Sequence, residues 1–214
     1  MAAMKFDAEK HHRRSIRLRG YNYAQTGAYF VTVVTKDREC LFGEIVGGEM
    51  RLNDAGRVIQ ATWNELPEHY LGVECDAFVV MPNHVHGIIV LGDDGGVGSD
   101  DVGAGPRACP ERGKPQRSGQ PRGVAPTISL PDVVHRLKTL TTKRYIDGVK
   151  SSDWAPFAGR LWQRNYYEHI VRGENELTRI REYIANNPLQ WESDQENPSQ
   201  SVDVRQKPVT QWEV

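Results

Sequence analysis

The chain has little cysteine, no long apolar run and almost no net charge. Its three cysteines stand far apart among 214 residues and form no Cys-x-x-Cys pair, so the sequence predicts neither a disulfide framework nor a zinc ribbon. No apolar segment approaches the roughly 20 residues that cross a bilayer, and the charged N-terminal region lacks the apolar stretch of a signal peptide. We therefore expect a cytoplasmic protein with no membrane partner.

Charge is balanced overall but unevenly distributed. The chain has 27 basic and 28 acidic side chains and a formal net charge of −1, which argues against a protein that coats nucleic acid through bulk charge. Basic residues nevertheless cluster in 13–19, in 107–122 and between Lys138 and Arg144, whereas acidic residues collect in 192–203. Local basic patches therefore remain available to a polyanion.

Glycine and proline are concentrated in one internal stretch. Residues 92–127 consist mainly of Gly, Pro, Asp and Arg with almost no bulky apolar side chain, so burial there cannot offset the entropy cost of ordering. The sequence predicts a flexible insert in 92–127 and, for the same reason, a disordered polar tail in 192–214. Neither flank of the insert closes a core alone, so we expect a single domain over 13–191.

Periodicity indicates an α+β protein. Asn53 and Ser129 precede helical patterns as capping residues, and a last helix is expected over 174–187. Short strands joined by turns, with few helices, favour an antiparallel sheet with helices packed on one face. Runs of β-branched and aromatic residues predict the strands of this sheet at 28–35, 40–46, 49–52, 75–81, 84–91 and 166–171.

The sharpest local feature is the pair His84 and His86. Side chains at i and i+2 of a strand leave the same face, so the two imidazoles form half of a metal site. A pair of structural histidines explains the same pattern equally well without a third ligand. The last helix offers Tyr183 and Asn187, four residues apart at the border of its apolar stripe. Alone, such a tyrosine is more often a core anchor, and such an asparagine a helix end.

Three sequence blocks together resemble a known family. The segments GYNYAQTGAYFVTVVTKDRECLFGEI, MPNHVH and RNYYEHIVRGENELTRIREYIANNP, in that order, are similar to those of the IS200-like single-tyrosine transposases, particularly the REP-associated tyrosine transposases. The resemblance extends over 13–191 except the insert. It implies a ferredoxin-like or RRM-like palm and an endonuclease that cuts and rejoins single-stranded DNA near hairpins.

By position in these motifs, the resemblance implies a role for each site residue. His84 and His86 would bind a divalent metal, Mg²⁺ or Mn²⁺, and Tyr183 would form a 5′-phosphotyrosine intermediate. Asn187 would be the third ligand, where insertion-sequence members have glutamine; Glu182 or a water molecule is the alternative. Imidazole and amide ligands also suit Zn²⁺. The sequence does not identify the base that deprotonates the phenol.

Basic and aromatic residues are candidates for DNA contact. An alternative from another class is a catalytically silent, domesticated nucleic-acid-binding module with the RRM-like palm, although His84, His86 and Tyr183 are all intact. The sequence leaves open whether the protein is a monomer or a homodimer. The side chains expected to bind phosphates or stack on bases of hairpin-bearing single-stranded DNA are Arg14, Arg17, Lys138, Lys143, Arg144, Arg164 and Tyr166.

Overall fold

The computed structural model describes residues 17–18, 20–92 and 128–200. The predicted insert beyond Gly92, the candidate Arg14 and residues 201–214 lie outside this part of the chain. None of the helices within the described residues is both long enough and apolar enough to cross a bilayer.

The predicted strands and helices are all present, with small shifts at their ends. The helix that follows Ser129 extends to Ser151, and buried Tyr145 anchors its last turns by donating a hydrogen bond to the carbonyl of Ala155. A short 3-10 helix also spans Lys36–Arg38, and a second, Asn187–Ser193, directly follows the last α-helix. The elements are β1 Gly27–Val34, β2 Gly43–Val46, β3 Glu49–Leu52, α1 Asp54–Asn64, α2 Leu66–His69, β4 Val73–Val80, β5 His84–Leu91, α3 Leu130–Ser151, β6 Tyr167–Val171 and α4 Glu174–Asn186.

Four strands form one antiparallel sheet in the order β4-β5-β1-β6. With the separate β2-β3 hairpin set aside, this is the βαββαβ topology of a ferredoxin-like fold, so the predicted α+β class is confirmed. The hairpin turns at Gly47 and Gly48, whose φ angles of 62° and 81° match a two-residue turn that glycine adopts without strain. Strands from both sides of residues 93–127 share the four-stranded sheet.

Helices α1 and α3 pack on one face of the sheet. Trp63 of α1 stacks on Phe78 of β4 with ring centroids 4.2 Å apart. The ring also covers Gly87, where an added Cβ would lie 2.4 Å from the nearest Trp63 carbon, so only glycine lets α1 approach this closely. This larger core includes Val31, Val33, Val85, Ile89, Ile59, Val133 and Leu137.

Helix α4 covers the opposite face. Its Ile180 and Ile184 pack against Phe30 and Ile88 in a second, smaller core. The sequence predicts helices on one face only, whereas β5 is buried on both faces and carries apolar side chains on both, at Val85 and at 88–91. His84 and His86 lie on the α4 side of this strand, in line with Ile88.

The end of the sheet remote from His84 is tied together by backbone hydrogen bonds. The Gly92 amide donates to the Gly72 carbonyl over 2.7 Å, and the Leu130 amide donates to the Tyr23 carbonyl over 2.9 Å. The described residues on either side of 93–127 are therefore fixed to the core.

Candidate active site

Two histidines on a central strand form the centre of the site. The Nε2 atoms of His84 and His86 lie 3.1 Å apart, and the residues are only 0% and 4% exposed. The expected same-face arrangement therefore brings two ring nitrogens together in a buried pocket beneath α4.

The other ring nitrogen of each histidine is held by a neighbour. Asn83 donates through Nδ2 to the carbonyls of Arg38 and Glu196, over 3.0 and 2.7 Å. Its Oδ1 therefore faces His84 Nδ1, at 2.9 Å, and accepts a hydrogen bond from it. This assigns the proton of His84 to Nδ1 and leaves a lone pair on Nε2.

Thr32 holds His86 in the corresponding way. The two residues are paired across β1 and β5, and Thr32 Oγ1 lies 2.8 Å from His86 Nδ1. Each imidazole thus has a fixed orientation with Nε2 directed into the pocket.

Burial keeps both imidazoles neutral. Desolvation lowers the pKa of His84 from 6.5 to about 4, and it lowers the pKa of His86 well below 6.5, with a further contribution from His84. Neutral imidazole is the form that binds a metal ion. The pair is therefore in its ligating state at neutral pH.

Tyr183 extends from α4 over the histidines. Its hydroxyl lies 3.4 Å from His86 Nε2, and its ring packs edge-on against His86 and Phe30 with centroid separations of 5.2 and 6.0 Å. Burial, followed by the Asp194 carboxylate, raises the pKa of the phenol above its usual value. The expected nucleophile thus lies beside the expected ligands, in its protonated form.

Asn187, one turn after Tyr183, is 1% exposed. Its Nδ2 lies 3.4 Å from Asp194 Oδ2, whereas its Oδ1 is buried and accepts no hydrogen bond from any described residue. A buried carbonyl oxygen without a donor is costly unless water or an ion satisfies it. The alternative third ligand, Glu182, is exposed.

Asp194 is a further member of the site that sequence reasoning did not identify. Its Oδ2 lies 3.8 Å from His84 Nε2, and single ligand atoms of His84, His86 and Asp194 all lie within 4.8 Å of one another. Burial raises the pKa of the carboxyl. The acidic residues after 191 carry no motif that distinguishes one of them as a ligand.

The position of Asp194 corrects the predicted tail. The sequence predicts disorder over 192–214, but the 3-10 helix Asn187–Ser193 and the turns up to 200 fold back onto the site. Asn197 is buried there and donates to the Trp191 carbonyl over 2.9 Å. Local hydrogen bonds and packing against the histidines compensate for the low apolar content that motivated the prediction.

The donor atoms fit a divalent metal ion. Two nitrogens at about 2.0–2.1 Å from one ion stand about 2.8–3.4 Å apart for angles between 90° and 109°, and the observed Nε2 separation is 3.1 Å. The unsatisfied Asn187 oxygen and the Asp194 carboxylate add oxygen donors. A set of two imidazoles, one amide and one carboxylate suits Mg²⁺, Mn²⁺ or Zn²⁺.

Three of the candidate DNA-binding residues lie together beside α3 and β6. The Arg17 guanidinium lies 5.2 Å from the Tyr166 ring centroid and donates to the Tyr166 hydroxyl over 3.1 Å. Lys138 lies 5.7 Å from the same centroid and donates to the carbonyls of Gln163 and Asn165 over 2.8 and 3.1 Å. Burial lowers the pKa of this lysine to about 8.

The remaining described candidates are placed differently. Arg144 joins α3 to α1 through Glu65 and Thr62, over 2.5 and 2.8 Å. Lys143 and Arg164 are exposed.

The chain is similar to a curated protein and to solved structures. No family profile matches the chain. A protein of Deinococcus radiodurans R1 assigned as a transposase is 21% identical with a TM-score of 0.39, covering 79% of this chain and 95% of that one. A REP-associated tyrosine transposase bound to a REP hairpin is 18% identical with a TM-score of 0.46, covering 81% of this chain and 73% of that one.

The relative is a protein of Haemophilus influenzae (strain Rd) that is described only as uncharacterized. It is 40% identical over 195 residues, which make up 89% of this chain and 96% of the relative. The identity therefore extends over nearly the whole of both proteins, and this chain belongs to the same family as the Haemophilus influenzae protein.

Proposed function

We propose that the protein is a metal-dependent, single-tyrosine DNA endonuclease and strand transferase that acts on single-stranded DNA near hairpins. The observation that carries this proposal is the convergence of the Tyr183 hydroxyl with the Nε2 atoms of His84 and His86 in one buried pocket. The three sequence blocks that resemble REP-associated tyrosine transposases supply the reaction class.

The residues that would hold the metal are His84, His86 and Asn187, with Asp194 as a fourth donor. A bound Mg²⁺ or Mn²⁺ would polarise a phosphate oxygen and offset the negative charge that develops at phosphorus. Asn83 and Thr32 keep the imidazoles in the required orientation, because such partners fix both the tautomer and the ring direction.

Tyr183 would carry out the covalent step. Its phenolic oxygen forms a bond to phosphorus as the bond from phosphorus to the 3′ oxygen breaks. The phenol gives up its proton, and the departing oxygen gains one to become a free 3′-hydroxyl. The 5′-phosphotyrosine bond conserves the phosphodiester, so the strand can be rejoined without ATP.

The Tyr183 phenol needs a neighbouring cation or base to lose its proton. Burial and Asp194 raise the pKa of Tyr183, so the phenolate is scarce at neutral pH unless a cation or base acts beside it. The four donors surrounding the hydroxyl provide the place for such a cation.

The proposed partner is hairpin-bearing single-stranded DNA. One similar solved structure is described as bound to a REP hairpin, and the candidate contacts on this chain are Arg14, Arg17, Lys138, Lys143, Arg144, Arg164 and Tyr166. Arg144 already pairs with Glu65, so we expect it to contribute less to DNA affinity than Lys143 or Arg164.

The test is formation of a covalent adduct. The protein is incubated with Mg²⁺ or Mn²⁺ and a hairpin oligonucleotide carrying single-stranded flanks from its own genomic surroundings, then resolved on denaturing gels. A 3′ label should migrate with the protein, whereas a 5′ label should leave with the released strand. EDTA should abolish both products.

Tyr183→Phe should lose the adduct but still bind the hairpin, and Tyr70→Phe, which removes a hydroxyl away from the site, should behave as wild type. An adduct that persists in Tyr183→Phe would place the nucleophile elsewhere. Tight binding without cleavage under either metal would favour the non-catalytic binding module instead.

A further inference from the structure

Two grooves adjoin on the surface formed by α3 and the segment that precedes β6. One, of about 580 Å³, lies between α3 and residues 159–164. The other, of about 400 Å³, lies between residues 36–38 and residues 160–164. Arg160, Gln163 and Arg164 line both grooves, so the grooves lie side by side, and we call the two together the basic channel.

The channel concentrates positive charge in a chain that is nearly neutral. Only Asp37 and Asp147 are acidic among its lining residues, whereas seven lining residues are Lys or Arg. The formal net charge of the whole chain is −1. The basic residues of the channel are Lys36, Arg38, Lys138, Lys143, Lys150, Arg160 and Arg164.

Several of these charges are available to a ligand. Within the described residues, Lys143, Lys150, Arg160 and Arg164 have neither a hydrogen-bond nor an ion-pair partner for their side chains, and all four are exposed. Lys143 and Lys150 are two turns apart on one face of α3, about 10 Å along the helix axis. Cations left exposed in a row favour an extended polyanion rather than a single small anion.

Arg38 connects the second groove to the residues that hold the histidines. Arg38 lines the second groove, its carbonyl accepts a hydrogen bond from Asn83, and Asn83 holds His84 through its Oδ1. The Arg38 guanidinium pairs with Glu196 over 2.8 Å. One residue, Asn83, therefore separates the end of the channel from the first proposed metal ligand.

We infer that the basic channel binds the phosphodiester backbone of the DNA substrate and leads it past Arg38 to His84, His86 and Tyr183. The inference rests on the proposed function and adds to it the route of the strand and the residues Lys36, Arg38, Lys150 and Arg160. When DNA is bound, a phosphate replaces Glu196 as the partner of Arg38.

The test measures binding of a labelled hairpin oligonucleotide with a single-stranded flank by fluorescence anisotropy across a salt series. EDTA is present, so that cleavage does not interfere. The variant is Arg160→Ala/Arg164→Ala, and the matched control is Arg51→Ala/Arg136→Ala, which removes two exposed arginines that do not line the channel.

Each lost phosphate contact should reduce the slope of log K against log salt by roughly 0.7–0.9, so the channel variant should lose about 1.4–1.8. At 0.1 M salt this corresponds to about 25- to 60-fold weaker binding. Arg160→Lys/Arg164→Lys should regain most of the slope because it restores the charge, and the control should stay within about twofold of wild type.

Separate probes identify the source of the phosphates. A hairpin without a flank reports on the stem, and an unpaired oligonucleotide reports on the flank; the probe that loses affinity in the channel variant is the one that lies in the channel. The same oligonucleotides are also tested as RNA. If the protein binds RNA more tightly than DNA, and only the RNA probes lose affinity in the channel variant, the assignment to DNA is wrong.

An unchanged salt slope in Arg160→Ala/Arg164→Ala, from a wild-type protein that still forms the tyrosine adduct, would refute the channel and leave the proposed function intact. A wild-type protein that neither binds the oligonucleotide nor forms the adduct would refute both.

Discussion

The buried histidine pair should make the stability of the metal-free protein depend on pH. Folding lowers the pKa of His84 from 6.5 to about 4 and that of His86 well below 6.5. As the pH falls below about 6.5, the unfolded chain therefore gains protons that the folded chain does not accept, and the free energy of unfolding decreases. The decrease should extend until the pH falls through the folded-state pKa.

The magnitude follows from the size of the shift. One pKa unit corresponds to about 1.4 kcal/mol. The shift of His84 alone should therefore lower the free energy of unfolding by about 3 kcal/mol between pH 6.5 and pH 4. This is a large part of the roughly 5–15 kcal/mol that stabilises a typical domain. With both histidines, the slope of the free energy of unfolding against pH should approach about 2.7 kcal/mol per pH unit. Asp194, whose pKa is raised by burial, contributes in the opposite direction.

The assay is urea denaturation in EDTA at several pH values from 7.5 to 4.5. His84→Gln should remove roughly half of the slope because His86 still titrates, whereas His135→Gln, at an exposed position of α3, should leave the slope unchanged. A slope in His84→Gln equal to that of wild type would show that this imidazole accepts protons as readily in the folded chain as in the unfolded one.

Two substitutions test the supports of the site and the core. Thr32→Val removes the partner of His86 Nδ1 and should weaken Mn²⁺ binding by about 10- to 100-fold in calorimetric titration; unchanged affinity would mean that Thr32 does not orient the ring. Gly87→Ala places a methyl group against the Trp63 ring. It should lower the free energy of unfolding, measured by urea denaturation, by about 1–3 kcal/mol. A loss of less than about 0.5 kcal/mol would show that α1 shifts without strain.

The features that depend on local spacing could be predicted from the sequence. Two residues apart in a strand, His84 and His86 must share a face, and four residues apart in a helix, Tyr183 and Asn187 must lie on one side. The structure joins these two pairs in one pocket.

The features that depend on distant parts of the chain could not be predicted. Thr32 reaches His86 only through the register of β1 with β5, and Asp194 approaches His84 only because the chain after α4 folds back. The sequence of β5 does not show that α4 covers the second face of the sheet. A strand with apolar side chains on both sides does not indicate which helix covers which side.

The backbone hydrogen bonds at the end of the sheet remote from His84 keep the residues on either side of 93–127 away from the histidine site. Strand β5 runs from His84 to Leu91, which is about 23 Å. Gly92 and Leu130, which lie on either side of residues 93–127, are held at the far end of that strand by Gly72 and Tyr23. We therefore expect a change in the length of residues 93–127 to leave the positions of His84 and His86 unchanged. The same position is a natural place to attach a reporter or an affinity domain.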